Sequence, residues 1–206
     1  MSKKAAPATS RESRTRPAEI RLVEPKDGKG LPDIEGYAAV FDTLSDDLGG
    51  FREKIKRGAF KETLAKDDVR ALVNHESGLA TLGRTSNGTL TLKEDKHGLR
   101  YRVTPPDTQA GRDIVELIRR GDISGSSFGF ISITDHWQTV ETEEMRTLEK
   151  VQLLDVSPVT WPAYPDTTVA VRALEQAKAA RAPAAPAAGP PAQDLRRRLD
   201  LAPAEQ

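Results

Sequence analysis

Apolar positions recur with period two through most of the middle of the chain, the spacing of a strand with one buried face. "VRALVNHE" (69–76) places Val69, Ala71, Val73 and His75 on one face. "IEGYAAVF" (34–41), "TLGRTS", "TLTLKED" and "LRYRVTPP" read as further strands. Asn87-Gly88, between two of them, is a tight-turn signal. Two long strand regions follow, at 126–140 and 148–160. Helical spacing is confined to shorter stretches. "GAFKETLAK" (58–66) predicts a short helix, and "DTQAGRDIVELIRRGD" a longer one with Ala110, Ile114, Leu117 and Ile118 on one stripe. Asp107 or Thr108 can cap its start and Gly121 can end it. The pattern predicts a mostly β fold with α: a small antiparallel β-barrel with flanking helices.

The ends lack this pattern. Residues 1–17 hold no periodic apolar positions and predict a disordered tail. From Ala173 onward alanine and proline dominate, and proline prevents one continuous helix. Short helices are expected in "ALEQAKAAR" and "AQDLRRRLDLA", with a linker between them. The folded domain is therefore placed at 18–172, and 173–206 is expected to be a linker with a docking tail.

Composition narrows the chemistry. The 206 residues include 31 basic and 31 acidic ones, so formal net charge is zero. That balance points to no nucleic-acid or membrane partner. Cysteine is absent, which excludes disulfides, thiolate metal sites and a cysteine nucleophile together. No apolar run approaches the ~20 residues of a membrane span. The N-terminus lacks the apolar core of a signal peptide, so a cytoplasmic origin is expected. No metal or other cofactor is expected, because the three histidines show no ligand spacing.

"GDISGSSFGF" (121–130) places Ser126 and Ser127 at the head of an apolar strand. A hydroxyl there is either a buried hydrogen-bonding group or a nucleophile, and a nucleophile needs a base. His97 lies in the "EDKHG" turn, and His136 beside Trp137 well along a strand. His75 differs, because it ends an apolar strand face and precedes a loop, half sheltered and able to reach a cleft. A carboxylate would orient the imidazole. Asp155 interrupts the apolar strand "VQLLDVSPV" and reads as lying on the face of Val151, Leu153 and Ser157. Such a carboxylate is costly unless paired. Glu76 is the weaker alternative, since it points to the opposite side of its strand.

"VNHESGLATLGRT", "IRRGDISGSSFGF" and "LLDVSPVTWPAYPDT" occur in that order. Together they resemble the prohead maturation proteases of tailed phages and related prophages and gene-transfer particles, serine peptidases distantly similar to herpesvirus assemblin. "GYAAVFD" and "IKRGAFKETL" resemble the family's opening segment, and the likeness spans about 35–170. The resemblance implies an assemblin-like barrel and a serine endopeptidase that cleaves scaffold and major capsid precursor during prohead maturation and cleaves itself. It implies His75 as base, Ser127 as nucleophile and Asp155 as third member. Assemblin uses a second histidine in that place, which has no counterpart here. Ser126 stands where family members often carry an apolar residue. Gly129, two positions from Ser127, would leave room for a substrate backbone or meet a simple packing need, and Arg84 in "LGRT" would lie near the site or form a structural ion pair. The implied partners are the capsid precursor and scaffold, with the portal and a second copy of the chain as further candidates. The implied location is the host cytoplasm and then the interior of the prohead. A silent particle-assembly protein of the same fold, or a Ser-His-Asp hydrolase of another class, would share these residues.

Overall fold

The computed structural model describes residues 10–16, 20–78, 81–161 and 167–181. Its spine is a long antiparallel hairpin of β9 (Gly125–Val140) and β10 (Glu143–Val159). Phe128 and Phe130 stack within β9, with ring centroids 5.0 Å apart. They join Val151, Leu153 and Val156 of β10 in one buried cluster. β9 carries β1 (Glu12–Arg16) antiparallel on its free side. β10 takes two parallel neighbours at different points along its length: β4 (Phe51–Ile55) beside Glu144–Leu148, and β5 (Arg70–Ala71) beside Asp155–Val156. β6 (Gly83–Arg84) pairs with β5 and ends this sheet. A second sheet runs β2 (Arg21–Val23), β3 (Asp33–Val40), β8 (Gly98–Val103), β7 (Leu90–Glu94), all antiparallel. Ile34, Leu90, Leu99, Tyr101 and Val103 of this sheet lie in the same core cluster as the phenylalanines.

Among the described residues the strands form two sheets and no closed barrel. β2, β5 and β6 are only two or three residues long, too short to carry the staggered ladder that barrel closure requires. The Asn87-Gly88 signal also acts differently from a hairpin turn. Gly88, at φ 76°, ends a single 3-10 turn over Thr85–Asn87, and the strands on either side pair elsewhere.

Among the described residues three helices pack on the sheets: α1 (Lys61–Lys66), α2 (Gln109–Arg120) and α3 (Thr167–Arg181). α2 begins where the Thr108 hydroxyl accepts from the Gly111 N–H and ends at Gly121, at φ 84°. Both caps are the expected ones, and Ile114 and Ile118 enter the core. α3 runs through the expected boundary at 172. Its Ala170 and Leu174 pack against Leu48 and Phe51, with Trp137 alongside. The segment "AQDLRRRLDLA" lies outside the described residues.

The expected disordered tail over 1–17 is replaced, across 12–16, by β1. The reason is a buried ion cluster that hydrophobic periodicity does not register. Arg14 binds Glu53 through Nε (2.8 Å) and Nη2 (3.1 Å) and reaches Glu12 at 2.6 Å. Arg146, fully buried, binds Glu12 through both terminal nitrogens (2.7 and 2.9 Å), Glu53 at 3.1 Å and Asp135 at 2.7 Å. Burial opposes the charge on Glu12, but the two guanidiniums outweigh it and hold its carboxyl below the usual range. Such a cluster forms only when every charge finds its partner at once.

Candidate active site

The expected strand 69–76 stops early. Beyond Ala71 only Val73 is bridged, to Glu76, and the two residues between them fold back. Asn74 and His75 have φ of 51° and 62°, and the Glu76 N–H donates to the Val73 carbonyl at 2.9 Å. Two successive left-handed residues inside such a bond are the signature of a primed tight turn. Asn tolerates this conformation better than most residues. Its side chain also ties the turn to the end of β10, accepting from the Thr160 N–H at 2.9 Å and donating to the Thr160 hydroxyl at 3.2 Å. His75 is thus a turn residue rather than the last member of a strand face, and the turn aims its ring at β9.

Asp155 is re-aimed by a β-bulge. Leu153 pairs with Phe130 and Asp155 with Gly129, so two residues of β10 oppose one of β9. After the extra residue the alternation changes parity. Val156, opposite Phe128, continues the core face of Leu153, while Asp155 and Ser157 share the other face, opposite Gly129 and Ser127. The face read from simple alternation is corrected accordingly. Of the two readings of Gly129, the structure supports the packing one. A Cβ there would lie 2.1 Å from Asp155 Oδ2, so the glycine makes room for the carboxylate rather than for a substrate backbone.

These devices bring the three expected residues into one chain. His75 Nε2 lies 2.6 Å from Ser127 Oγ, and His75 Nδ1 lies 2.6 Å from Asp155 Oδ1. Ser157 donates to the same Oδ1 at 3.0 Å and accepts from the His75 N–H at 3.3 Å, which fixes turn and carboxylate together. Arg11 binds the other oxygen, Oδ2, at 2.8 Å. Burial works against ionising Asp155. The hydrogen bond and charge of His75, then Arg11 and Ser157, overcome it and hold the carboxyl below its ordinary range. An ionised Asp155 selects the tautomer with the proton on Nδ1, leaving the Nε2 lone pair toward the serine hydroxyl.

The other candidates fall away from this chain. Ser126 points to the opposite face of β9, where its hydroxyl meets the Tyr101 hydroxyl at 2.8 Å in the core. Glu76 is exposed, and Arg84 pairs with Asp68. His97 packs edge-on against Tyr37 in its turn. Sequence reasoning missed Arg11, Thr15, Asn74 and Ser157. Only Ser157 carried a signal, two residues from Asp155 and on the same face.

Ser127 is fully buried, and β1 pairs along its strand with Thr15 opposite it. Thr15 donates to Ser127 Oγ at 3.0 Å, and Ser127 Oγ lies within donating distance, 2.9 Å, of the Arg14 carbonyl oxygen.

Among solved structures the chain is similar to the bacteriophage T4 capsid assembly protease, gp21, with 17% identity over 76% of this chain and 99% of that one and a TM-score of 0.46. No curated protein matches the chain. A family model described as caudovirus prohead serine protease matches residues 17–181, and the chain belongs to that family.

Proposed function

We propose that the chain is a serine endopeptidase that cleaves scaffold and major capsid precursor inside the assembling prohead, with Ser127 as nucleophile, His75 as general base and acid, and Asp155 as the orienting carboxylate. The hydrogen-bonded run Ser127–His75–Asp155 carries this reading. Ser127 Oγ attacks the scissile carbonyl carbon as its proton passes to His75 Nε2. The imidazolium is stabilised by Asp155 through Nδ1–H, and Nε2–H then protonates the leaving amine. The acyl–Ser127 ester remains. Water attacks it, gives a proton to His75, and the carboxyl product leaves as Ser127 recovers its hydroxyl proton.

The chain beyond α3, residues 182–206, joins an alanine- and proline-rich stretch to "QDLRRRLDLA". In this reading it docks the enzyme on scaffold or capsid precursor and is cut by the enzyme itself. Removing 182–206 should leave peptide hydrolysis intact and reduce the copies packaged per particle.

The test is co-expression with the neighbouring coat and scaffold genes, followed by mass spectrometry of the protein termini. New termini with the wild type and none with Ser127→Ala are expected. Intact precursors in both, with particles that still assemble, would favour a silent assembly protein. Hydrolysis of small esters with intact precursors would favour a hydrolase of another class.

A further inference from the structure

β1 is the feature that this reading leaves unexplained. It sits antiparallel on the strand that carries Ser127, with Thr15 opposite Ser127 and Arg14 opposite Phe128. An extended peptide that adds to a sheet edge is held in this way, by its main chain in register and by alternate side chains in pockets. The Arg14 carbonyl stands where a scissile carbonyl would lie, with its oxygen 2.9 Å from Ser127 Oγ. With the single hydroxyl proton directed to His75 Nε2, this contact still sets Oγ toward the carbonyl oxygen rather than toward its carbon. Arg11 adds a second restraint. Its guanidinium, 2.8 Å from Asp155 Oδ2, competes with an imidazolium for the same carboxylate. β1 therefore has the place of a substrate in a ground state that does not react.

Its side chains identify what the groove accepts. Arg14 enters a pocket formed by Glu53 below and the ring of Phe130, with its guanidinium carbon 5.4 Å from the ring centroid. Glu12, two residues earlier on the same face, is clamped by Arg146. With β1 removed, Glu53, Asp135 and Arg146 would line the groove, a polar lining that water can fill and a second peptide can re-enter.

We propose, resting on the serine-protease reading above, that Arg11–Arg16 is an internal pseudosubstrate. Glu53 and Arg146 are the specificity-determining pair, selecting extended peptides with an acidic residue two positions before a basic one, the basic residue lying at the position of Arg14. Substrate enters by displacing β1.

The experiment uses the full chain. Arg14→Ala removes the pocket-filling side chain, and Arg11→Ala, at an exposed position, loosens β1 without disturbing the buried cluster. Two readouts are followed: amide exchange across β1 and β9, and the rate at which a fluorophosphonate labels Ser127. Arg14→Ala should raise both by ~10-fold or more, about 1.4 kcal/mol per tenfold. Arg11→Ala should raise labelling by a smaller factor. The peptide SRESRTR, added to Arg14→Ala, should restore protection and suppress labelling. The same peptide with alanine at the Glu12 and Arg14 positions should do neither. Wild-type labelling rates in both variants, equal suppression by the alanine peptide, or cleavage of the Arg14–Thr15 bond in the intact chain would each overturn the proposal. Opened exchange and competed peptide binding with no labelling of Ser127 in any variant would instead remove the nucleophile reading, and the pseudosubstrate role with it.

Discussion

The two faces of β9 at its head carry the same side chain and opposite environments. On one face Ser126 meets Tyr101 OH, and among the described residues neither hydroxyl bonds to an ionised side chain. Burial, opposed by the bond to Ser126, pushes the Tyr101 phenol well above its ordinary range. On the other face Ser127 meets an imidazole backed by an ionised carboxylate. One residue of strand alternation separates a closed, neutral hydrogen bond from a chain of groups that can carry a proton. Reactivity here is a property of what a hydroxyl faces rather than of the hydroxyl.

That contrast can be broken most severely at Ser127. Ser127→Ala should lower peptidase activity by ~10⁴-fold or more, because the groups of such a chain act as a unit. Its effect on stability should be far smaller, about 1–3 kcal/mol, as Thr15 and the Arg14 carbonyl lose a buried partner. Asp155→Asn keeps the shape and loses the charge that supports the imidazolium, and activity should fall by roughly 10³-fold. A large fall in melting temperature at normal activity would make Asp155 a structural carboxylate.

The same residue gives a pH signature. The folded value of Asp155 lies below the unfolded one, so its stabilising contribution is present above about pH 4 and is lost as pH falls through the folded value. The difference in melting temperature between wild type and Asp155→Asn should therefore shrink on acidification below about pH 4. A constant difference would show that the charge does not stabilise the fold.

Gly129→Ala sharpens the geometry. The new methyl would press on Asp155, and activity should fall by ~10–100-fold with the fold retained, since a misplacement near 1 Å can cost about that much. Ser126→Ala should have the smallest effect on rate. It leaves Tyr101 OH without its partner in the core, so stability should drop by ~1–3 kcal/mol while most activity survives. If activity collapses in Ser126→Ala and survives in Ser127→Ala, the two faces have been assigned the wrong way round.

The sequence showed which residues belong together but not how they meet. The apolar alternation of Phe128 and Phe130 located β9, and helical spacing with its caps located α2. His75 and Asp155 stood out as polar groups in apolar runs. Two local irregularities then decided their directions, the primed turn at Asn74-His75 and the bulge before Asp155. Neither breaks the hydrophobic pattern enough to be read from it. β1 was illegible for another reason. Its face consists of Glu12 and Arg14, whose partners Glu53 and Arg146 come from distant strands, and no local pattern announces a charge that will be neutralised by tertiary contact. The two-sheet arrangement was hidden likewise, because β5 and β6 are too short to leave a period.

The most direct test of the difference between the two faces is to label the intact protein with a fluorophosphonate and map the modified residue by tandem mass spectrometry. The phosphonyl mass should fall on Ser127 alone, and His75→Ala should abolish it. Label on Ser126, or equal labelling of Ser127 in His75→Ala, would contradict the account.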